Sequence, residues 1–170
     1  QLNLKSILVS DLSKQRAYQP PSSIMTDDPE VILQDPNISV IIELIGGENP
    51  AVDFITRAIN LGKHVVTANK EVIAKHGSTL SELAEKASVS IKFEASVGGG
   101  IPTIGPMIYD LSANNISSIR AIINGTTNFI LSKMSNDHVD FPSALSQAQS
   151  LGFAEANPKN DLEGTDAAYK

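Results

Sequence analysis

The 170-residue sequence predicts an α/β fold built around a largely parallel sheet. Two observations support this class. Short apolar runs rich in β-branched residues alternate with longer segments of helical periodicity, which is the pattern of β-α-β units. Apolar residues make up 41% of the chain and charged residues 19%, as in a globular domain with a real core.

The first strand is predicted at Ser6–Val9, where β-branched residues precede Asp11. Pro29 follows two acidic residues and should begin a helix, because proline suits the first turn. That helix is expected to end before Pro36. The next strand, at Val40–Ile45, contains four β-branched residues and is predicted to be buried on both faces.

A helix with apolar residues at helical spacing follows, and Gly62 is placed to end it in a left-handed conformation. The run His64–Thr67 is predicted as a strand. A helical stretch is expected at Glu71–Lys86, with an interruption near Gly77. A further strand is predicted at Ile91–Ala95.

The composition changes at Glu94, so we predict two domains, at 1–93 and 94–170. In the second, loops and helix ends supply most of the polar groups. The elements expected there are a helix of about ten residues after Pro102, a strand at Ser118–Ile123, and helices that begin at Gly125, Phe141 and Thr165.

Composition excludes several functions. The chain has no cysteine, so disulfides, thiolate metal sites and a cysteine nucleophile are excluded. The net charge is −6 without a basic stripe, which argues against a nucleic-acid partner. No apolar run approaches the roughly 20 residues that cross a bilayer, and the N-terminus does not read as a signal peptide. We expect a cytoplasmic location and a chain interior to a longer protein.

Polar or glycine-rich residues follow four predicted strands, and open parallel sheets bind ligands at these ends. The four groups are Asp11, Gly46–Gly47, Ala68–Lys70 and Val97–Gly100. Each alone could be a loop cap or a turn. Together they predict a crevice for a nucleotide or substrate, with Gly46–Gly47 and Asn69–Lys70 at the same edge of the sheet.

Two lysines allow two interpretations each. Lys70 could present its ammonium to a phosphate or carboxylate, or could be a solvated lysine at a helix start. If Thr165 begins a helix, Asp166 and Lys170 lie at i and i+4 on one face. That pair could be an exposed salt bridge or a lysine positioned for proton transfer.

Four motifs resemble homoserine dehydrogenase in their order and spacing. The first is Val40–Gly47 followed by Gly62–Lys70, and the second is the glycine-rich run Phe93–Pro102. The other two are Asn124–Asn128 and Gly152–Lys170. The resemblance covers nearly the whole chain.

The resemblance implies an NAD(P)-dependent oxidoreductase that interconverts L-homoserine and L-aspartate 4-semialdehyde, a step toward threonine and methionine. It implies a partial Rossmann-type parallel sheet with helices on both faces as the NAD(P)-binding domain at 1–93. It also implies the start of an α+β substrate and dimerisation domain, carrying the catalytic residues, at 94–170. The full-length protein is expected to be a homodimer that acts on a small molecule.

Site residues follow from the same resemblance. Lys170 matches the proton-transferring lysine, Asp161 and Asp166 match other catalytic acids, and Glu155 matches the glutamate that binds homoserine. Lys70 matches a lysine at both the substrate and the cofactor. The remaining cofactor positions are Asp11, Gly46, Thr67, Ala68 and Gly152. A monovalent cation, sodium or potassium, is implied at Glu94, Val97, Gly99 and Ile101, mostly through backbone carbonyls.

The sequence departs from the family at two places. The G-x-G-x-x-G turn that holds the pyrophosphate is absent, so the chain alone is expected to be a poor enzyme. Ser10 stands where the family often has arginine, which leaves both NAD and NADP open. The alternatives are another Rossmann-type amino-acid or semialdehyde dehydrogenase, or a non-catalytic module derived from one.

Overall fold

The computed structural model of the chain describes residues 2–170 and divides into two compact units. The first unit ends at Ser96, and the second is Val97–Lys170. No helix within residues 2–170 is both long and apolar enough to cross a membrane.

The first unit contains five short parallel strands in two sheets. Strands β3 (Val40–Glu43), β4 (His64–Thr67) and β5 (Ile91–Lys92) form one sheet in that order. The predicted parallel class is therefore confirmed. The first strand, β1 (Ile7–Leu8), instead pairs with β2 (Met25–Thr26) in a separate sheet. Sequence reasoning missed β2 because two residues within a polar loop show no periodicity.

Three helices accompany these strands: α1 (Glu30–Leu33), α2 (Ala51–Asn60) and α3 (Lys70–Lys86). Gly62, just after α2, has a φ of 73° and so adopts the left-handed conformation predicted for it. The predicted interruption of the third helix near Gly77 is wrong, because α3 is continuous. One glycine in a helix costs only about 1 kcal/mol, and the burial of apolar α3 side chains outweighs it.

Helices α2 and α3 pack on each other and against one face of the three-stranded sheet, where Ile55, Ile59, Val65 and Val72 form the core. The prediction that β3 is buried on both faces is wrong, since Ile42 is 60% exposed. The connections from β3 to β4 and from β4 to β5 have the same hand, so α2 and α3 lie on the same side of the sheet. On the opposite face of these strands, Ile42 and Val66 are exposed.

The second unit is helical. Its helices are α4 (Gly125–Asp137), α5 (Phe141–Ser150), α6 (Lys159–Leu162) and α7 (Thr165–Ala168), preceded by a π-helical turn at Pro106–Asp110. Helices α4 and α5 pack through Ile130, Ala144 and Ala148, and the rings of Phe129 and Phe153 stack with centroids 4.6 Å apart.

Two predicted elements of this unit are wrong. The strand at Ser118–Ile123 is absent, and its residues are irregular and exposed. A β-branched run needs a partner strand, and none exists within 97–170. The helix expected after Pro102 is shorter than predicted, because helical residues run only from 104 to 110.

Candidate functional site

A buried carboxylate lies at the carboxyl end of β3. The parallel register places Glu43 opposite Thr67, and the Thr67 hydroxyl donates to Glu43 Oε2 at 2.5 Å. Glu43 Oε1 accepts from the backbone N–H groups of Ile45, at 2.7 Å, and Gly46, at 3.4 Å. The side chain therefore fixes the turn that follows its own strand.

Asn69 extends this arrangement to the next loop. Its backbone N–H donates to Thr67 Oγ1 at 2.9 Å, and its side-chain amide donates to the Gly47 carbonyl at 2.7 Å. Its Oδ1 accepts from the Val72 N–H at 3.2 Å and so caps α3. Gly46–Gly47 and Asn69–Lys70 thus share one edge of the sheet, as predicted.

The predicted cofactor residues of the first unit differ in what they offer. Gly46 has a φ of 79°, which exposes its backbone in the turn after β3. Thr67 is fully buried and its hydroxyl is engaged by Glu43, so its side chain is not available to a ligand. Ala68 and Lys70 are half-buried, and Lys70 is the first residue of α3. A helix N-terminus and an ammonium both favour an anion.

Asp11 shapes its own loop. Its Oδ1 accepts from the Ser13 N–H at 2.8 Å and from the Ser13 hydroxyl at 2.6 Å. These two bonds lower the pKa of the Asp11 carboxyl. The side chain is exposed, which leaves its second oxygen accessible to a hydroxyl donor.

The second unit brings three of the predicted catalytic residues together. Lys170 Nζ lies 2.9 Å from Asp166 Oδ2, so the predicted i,i+4 pair is present. The same ammonium donates to the Ile123 carbonyl at 2.5 Å. Asp161 joins through Asn124, whose amide donates to Asp161 Oδ1 at 2.7 Å and to Asp166 Oδ2 at 3.0 Å. We call Asn124, Asp161, Asp166 and Lys170 the acid–lysine cluster.

The ion pair of the cluster is partly shielded from solvent. The side chains of Lys170 and Asp166 are 23% and 13% exposed. Thr126 lies beside them, with its Oγ1 2.5 Å from the Phe153 carbonyl and 3.2 Å from Asp161 Oδ2. A lysine held by a carboxylate and a carbonyl in such a setting can pass a proton to a bound substrate.

Sequence reasoning missed Asn124 and Glu43. Asn124 is buried and also caps α4, because its Oδ1 accepts from the Thr127 N–H at 2.8 Å. An asparagine before a helical Gly-Thr-Thr signals the cap but not the two carboxylates 37 and 42 residues away. Glu43 was hidden as one polar residue within an apolar run. The available signal was a single acidic residue near the end of a strand that was predicted to be buried.

Two other predicted residues lie outside the cluster. The Glu155 carboxylate is exposed and has no hydrogen-bonding partner within residues 2–170, although its backbone carbonyl accepts from Gln149. Gly152, with a φ of 78°, ends α5 in a left-handed turn. Their predicted roles stay predictions.

The predicted cation ligands are divided between the two units. Glu94 begins a 3-10 turn that ends the first unit, while Val97, Gly99 and Ile101 open the second. Thr103 Oγ1 donates to the Ile101 carbonyl at 3.1 Å. Within residues 2–170 no group of three His, Asp or Glu side chains could hold a metal.

The parallel sheet and the polar residues at its strand ends define a dinucleotide-binding α/β protein. Residues 1–94 match the family model described as homoserine dehydrogenase, NAD binding domain, and residues 102–170 match the model described as homoserine dehydrogenase. The chain belongs to the homoserine dehydrogenase family.

Relatives agree with this assignment. The chain is 46% identical over 169 residues to homoserine dehydrogenase of Synechocystis sp., covering 99% of this chain and 39% of that protein. It is 51% identical over 136 residues to the enzyme of Pseudomonas aeruginosa, covering 80% and 31%. The chain therefore spans about two fifths or less of the length of these relatives.

Solved structures show the same fold. Homoserine dehydrogenase from Thiobacillus denitrificans superposes with a TM-score of 0.83 at 47% identity, covering 86% of this chain and 34% of that one. A hyperthermophilic archaeal homoserine dehydrogenase in complex with NADPH gives 0.77 at 34% identity, covering 84% and 44%.

Proposed function

We propose that the protein containing this chain interconverts L-homoserine and L-aspartate 4-semialdehyde with NAD(P), a step toward threonine and methionine. The observation that carries the proposal is the acid–lysine cluster, which sets the Lys170 ammonium against Asp166 and the Ile123 carbonyl. The family assignment supports the substrate, since the relatives are named for it.

Lys170 manages the proton of the reaction. During reduction its ammonium donates a proton to the oxygen of the aldehyde as that oxygen gains negative charge. During oxidation the neutral amine takes the proton from the homoserine hydroxyl. Asp166 orients the side chain, and Asp161 is joined to Asp166 through Asn124. The nicotinamide cofactor supplies or accepts the hydride.

Substrate binding is proposed for two charged residues, one in each unit. The exposed Glu155 carboxylate suits the ammonium of homoserine, because it needs no rearrangement to accept hydrogen bonds. Lys70, at the sheet edge, supplies a positive charge for a substrate carboxylate or a cofactor phosphate.

Cofactor binding is proposed at the shared sheet edge. Gly46 and Ala68 would contribute backbone groups there, next to the buried Thr67, and Asp11 would accept from a ribose hydroxyl. Gly152, in the second unit, is proposed as a cofactor-binding residue on the family resemblance alone. The relative bound to NADPH favours NADP, whereas an accessible Asp11 favours NAD, so the proposal covers both.

The same proposal includes a sodium or potassium ion at Glu94, Val97, Gly99 and Ile101. Carbonyl oxygens are suitable ligands for such hard cations. It also includes a homodimer in the cytoplasm, acting on a small molecule without a nucleic-acid or membrane partner. Replacing potassium and sodium with a large organic cation should lower activity if the ion is used.

The test is substrate-dependent reduction of NAD or NADP by the purified full-length protein. Homoserine should support turnover, and serine, threonine and other amino alcohols should not. Turnover with another amino acid but not homoserine would favour a different amino-acid dehydrogenase. Binding of NADPH without turnover of any of them would favour a non-catalytic module.

A further inference from the structure

We propose that Glu43 is a positioning residue for the dinucleotide, which holds the two cofactor-binding loops in one arrangement before the cofactor arrives. The inference rests on the proposed function for the location of the cofactor. It concerns a residue to which the sequence analysis assigns no role and which takes no part in the proposed proton chemistry.

A buried acid in this position requires an explanation. Glu43 is 3% exposed, and removing a carboxylate from water is unfavourable unless its oxygens are bonded. Its partners in the described chain are two backbone N–H groups and one hydroxyl, all of them neutral. A carboxylate only accepts, so both of its oxygens can serve donors on different loops.

The bonds form a closed ring. Glu43 binds the Thr67 hydroxyl, which accepts from the Asn69 N–H. The Asn69 amide then donates to the Gly47 carbonyl, and the chain returns through Gly46 to Glu43 Oε1. The ring joins the turn after β3 to the turn after β4. Because Asn69 also caps α3, it fixes the start of the helix that carries Lys70.

The expected consequence is a preorganised cofactor site. A loop that is already ordered loses less freedom on binding, so the affinity is higher than for the same contacts on a mobile loop. Removing the Glu43 carboxylate leaves two turns to be ordered by the cofactor. The dissociation constant for NADPH should then rise roughly tenfold.

The opposite end of the sheet offers a matched control. Lys63, 4% exposed, precedes β4 and donates to the carbonyls of Asp35 and Ile38, each at 2.6 Å. It is a buried charge bonded to backbone groups, like Glu43, but at the amino end of the strands. Lys63→Met should lower stability without changing cofactor affinity.

The experiment uses the full-length protein without substrate. NADPH binding is titrated by its fluorescence in the wild type and in Glu43→Gln, Thr67→Val, Thr67→Ser and Lys63→Met, with Tm measured for each. Hydrogen exchange of the Ile45, Gly46 and Asn69 amides reports the order of the loops. The Glu43→Gln side chain has only one accepting oxygen, so it cannot accept from both the Thr67 hydroxyl and the backbone N–H groups. The Thr67→Val change removes the hydroxyl that joins Glu43 to Asn69.

The proposal expects weaker NADPH binding and faster exchange at these amides in Glu43→Gln and Thr67→Val. Thr67→Ser should bind more tightly than Thr67→Val, because it keeps the hydroxyl. Two results would overturn the proposal. One is wild-type NADPH affinity in Glu43→Gln, and the other is a loss of NADPH affinity in every variant, Lys63→Met included, that follows the fall in Tm. If Glu43→Gln does not fold, the two Thr67 variants decide. Absence of homoserine turnover would sink only the proposed function, since binding is measured separately.

Discussion

Replacing Lys170 with alanine tests the proton chemistry most directly. The change removes an ammonium that contacts Asp166 at 2.9 Å and the Ile123 carbonyl at 2.5 Å. Loss of a general acid or base lowers kcat by about 10²–10⁴-fold, or about 3–5 kcal/mol in activation free energy. The folding cost should be smaller, about 1 kcal/mol, because Asp166 keeps its bond from Asn124.

The assay is steady-state homoserine oxidation by the full-length protein, with Tm as the measure of folding. KM for homoserine should change less than kcat, because the proton is shared most strongly in the transition state. Lys170→Arg is the control for charge. Arginine keeps the positive charge but does not release a proton near neutral pH, so it should not restore turnover. Nearly full kcat in either variant would show that Lys170 acts only as an electrostatic or structural group.

Three further predictions concern other groups. Glu155→Gln should raise KM for homoserine more than it lowers kcat, because the carboxylate binds the substrate ammonium in the ground and transition states alike; a selective fall in kcat would contradict this. Asn124→Asp should preserve the α4 cap but set a third carboxylate against those of Asp161 and Asp166, which the Asn124 amide contacts at 2.7 Å and 3.0 Å, so Tm and kcat should both fall. Wild-type Tm and kcat in this variant would show that the amide does not hold the two carboxylates in place. Glu48, whose pKa is lowered by hydrogen bonds from Lys75 and then His76, should stabilise the fold fully above pH 4.5 and lose that effect as pH falls through the lowered pKa. Acid titration of Glu48→Gln beside the wild type should show the stability difference shrinking with falling pH, and a constant difference would refute it.

Much of the first unit could be predicted from local patterns. The runs at Val40–Glu43 and His64–Thr67 are β-branched, with Gly46–Gly47 after the first and Gly62 before the second, and such signals need no distant partner. The left-handed Gly62 and the pair formed by Asp166 and Lys170 were equally local, because each depends on a few neighbouring positions.

The errors arose where distant packing decides. The apolar run at Ser118–Ile123 has strand composition, but no strand within the second unit pairs with it. Which face of β3 is exposed depends on the side of the sheet that α2 and α3 occupy. The residues of β3 alone do not encode that side. The partners of Glu43 and Asn124 lie 24 and 37 to 42 residues away in the chain, beyond the reach of any motif.

The one-turn helix α7 has a consequence for how the protein acquires activity. Four residues cannot form a stable helix alone, and Asp166 and Lys170 are held by Asn124 and Ile123, which lie 42 and 47 residues earlier. Contacts that close such long segments of chain require most of the intervening structure to be present. The proposed proton-transfer group should therefore become competent only after the chain between Ile123 and Lys170 has folded. During refolding, recovered turnover should lag behind recovered helicity, which makes activity a late reporter of native structure in this half of the chain.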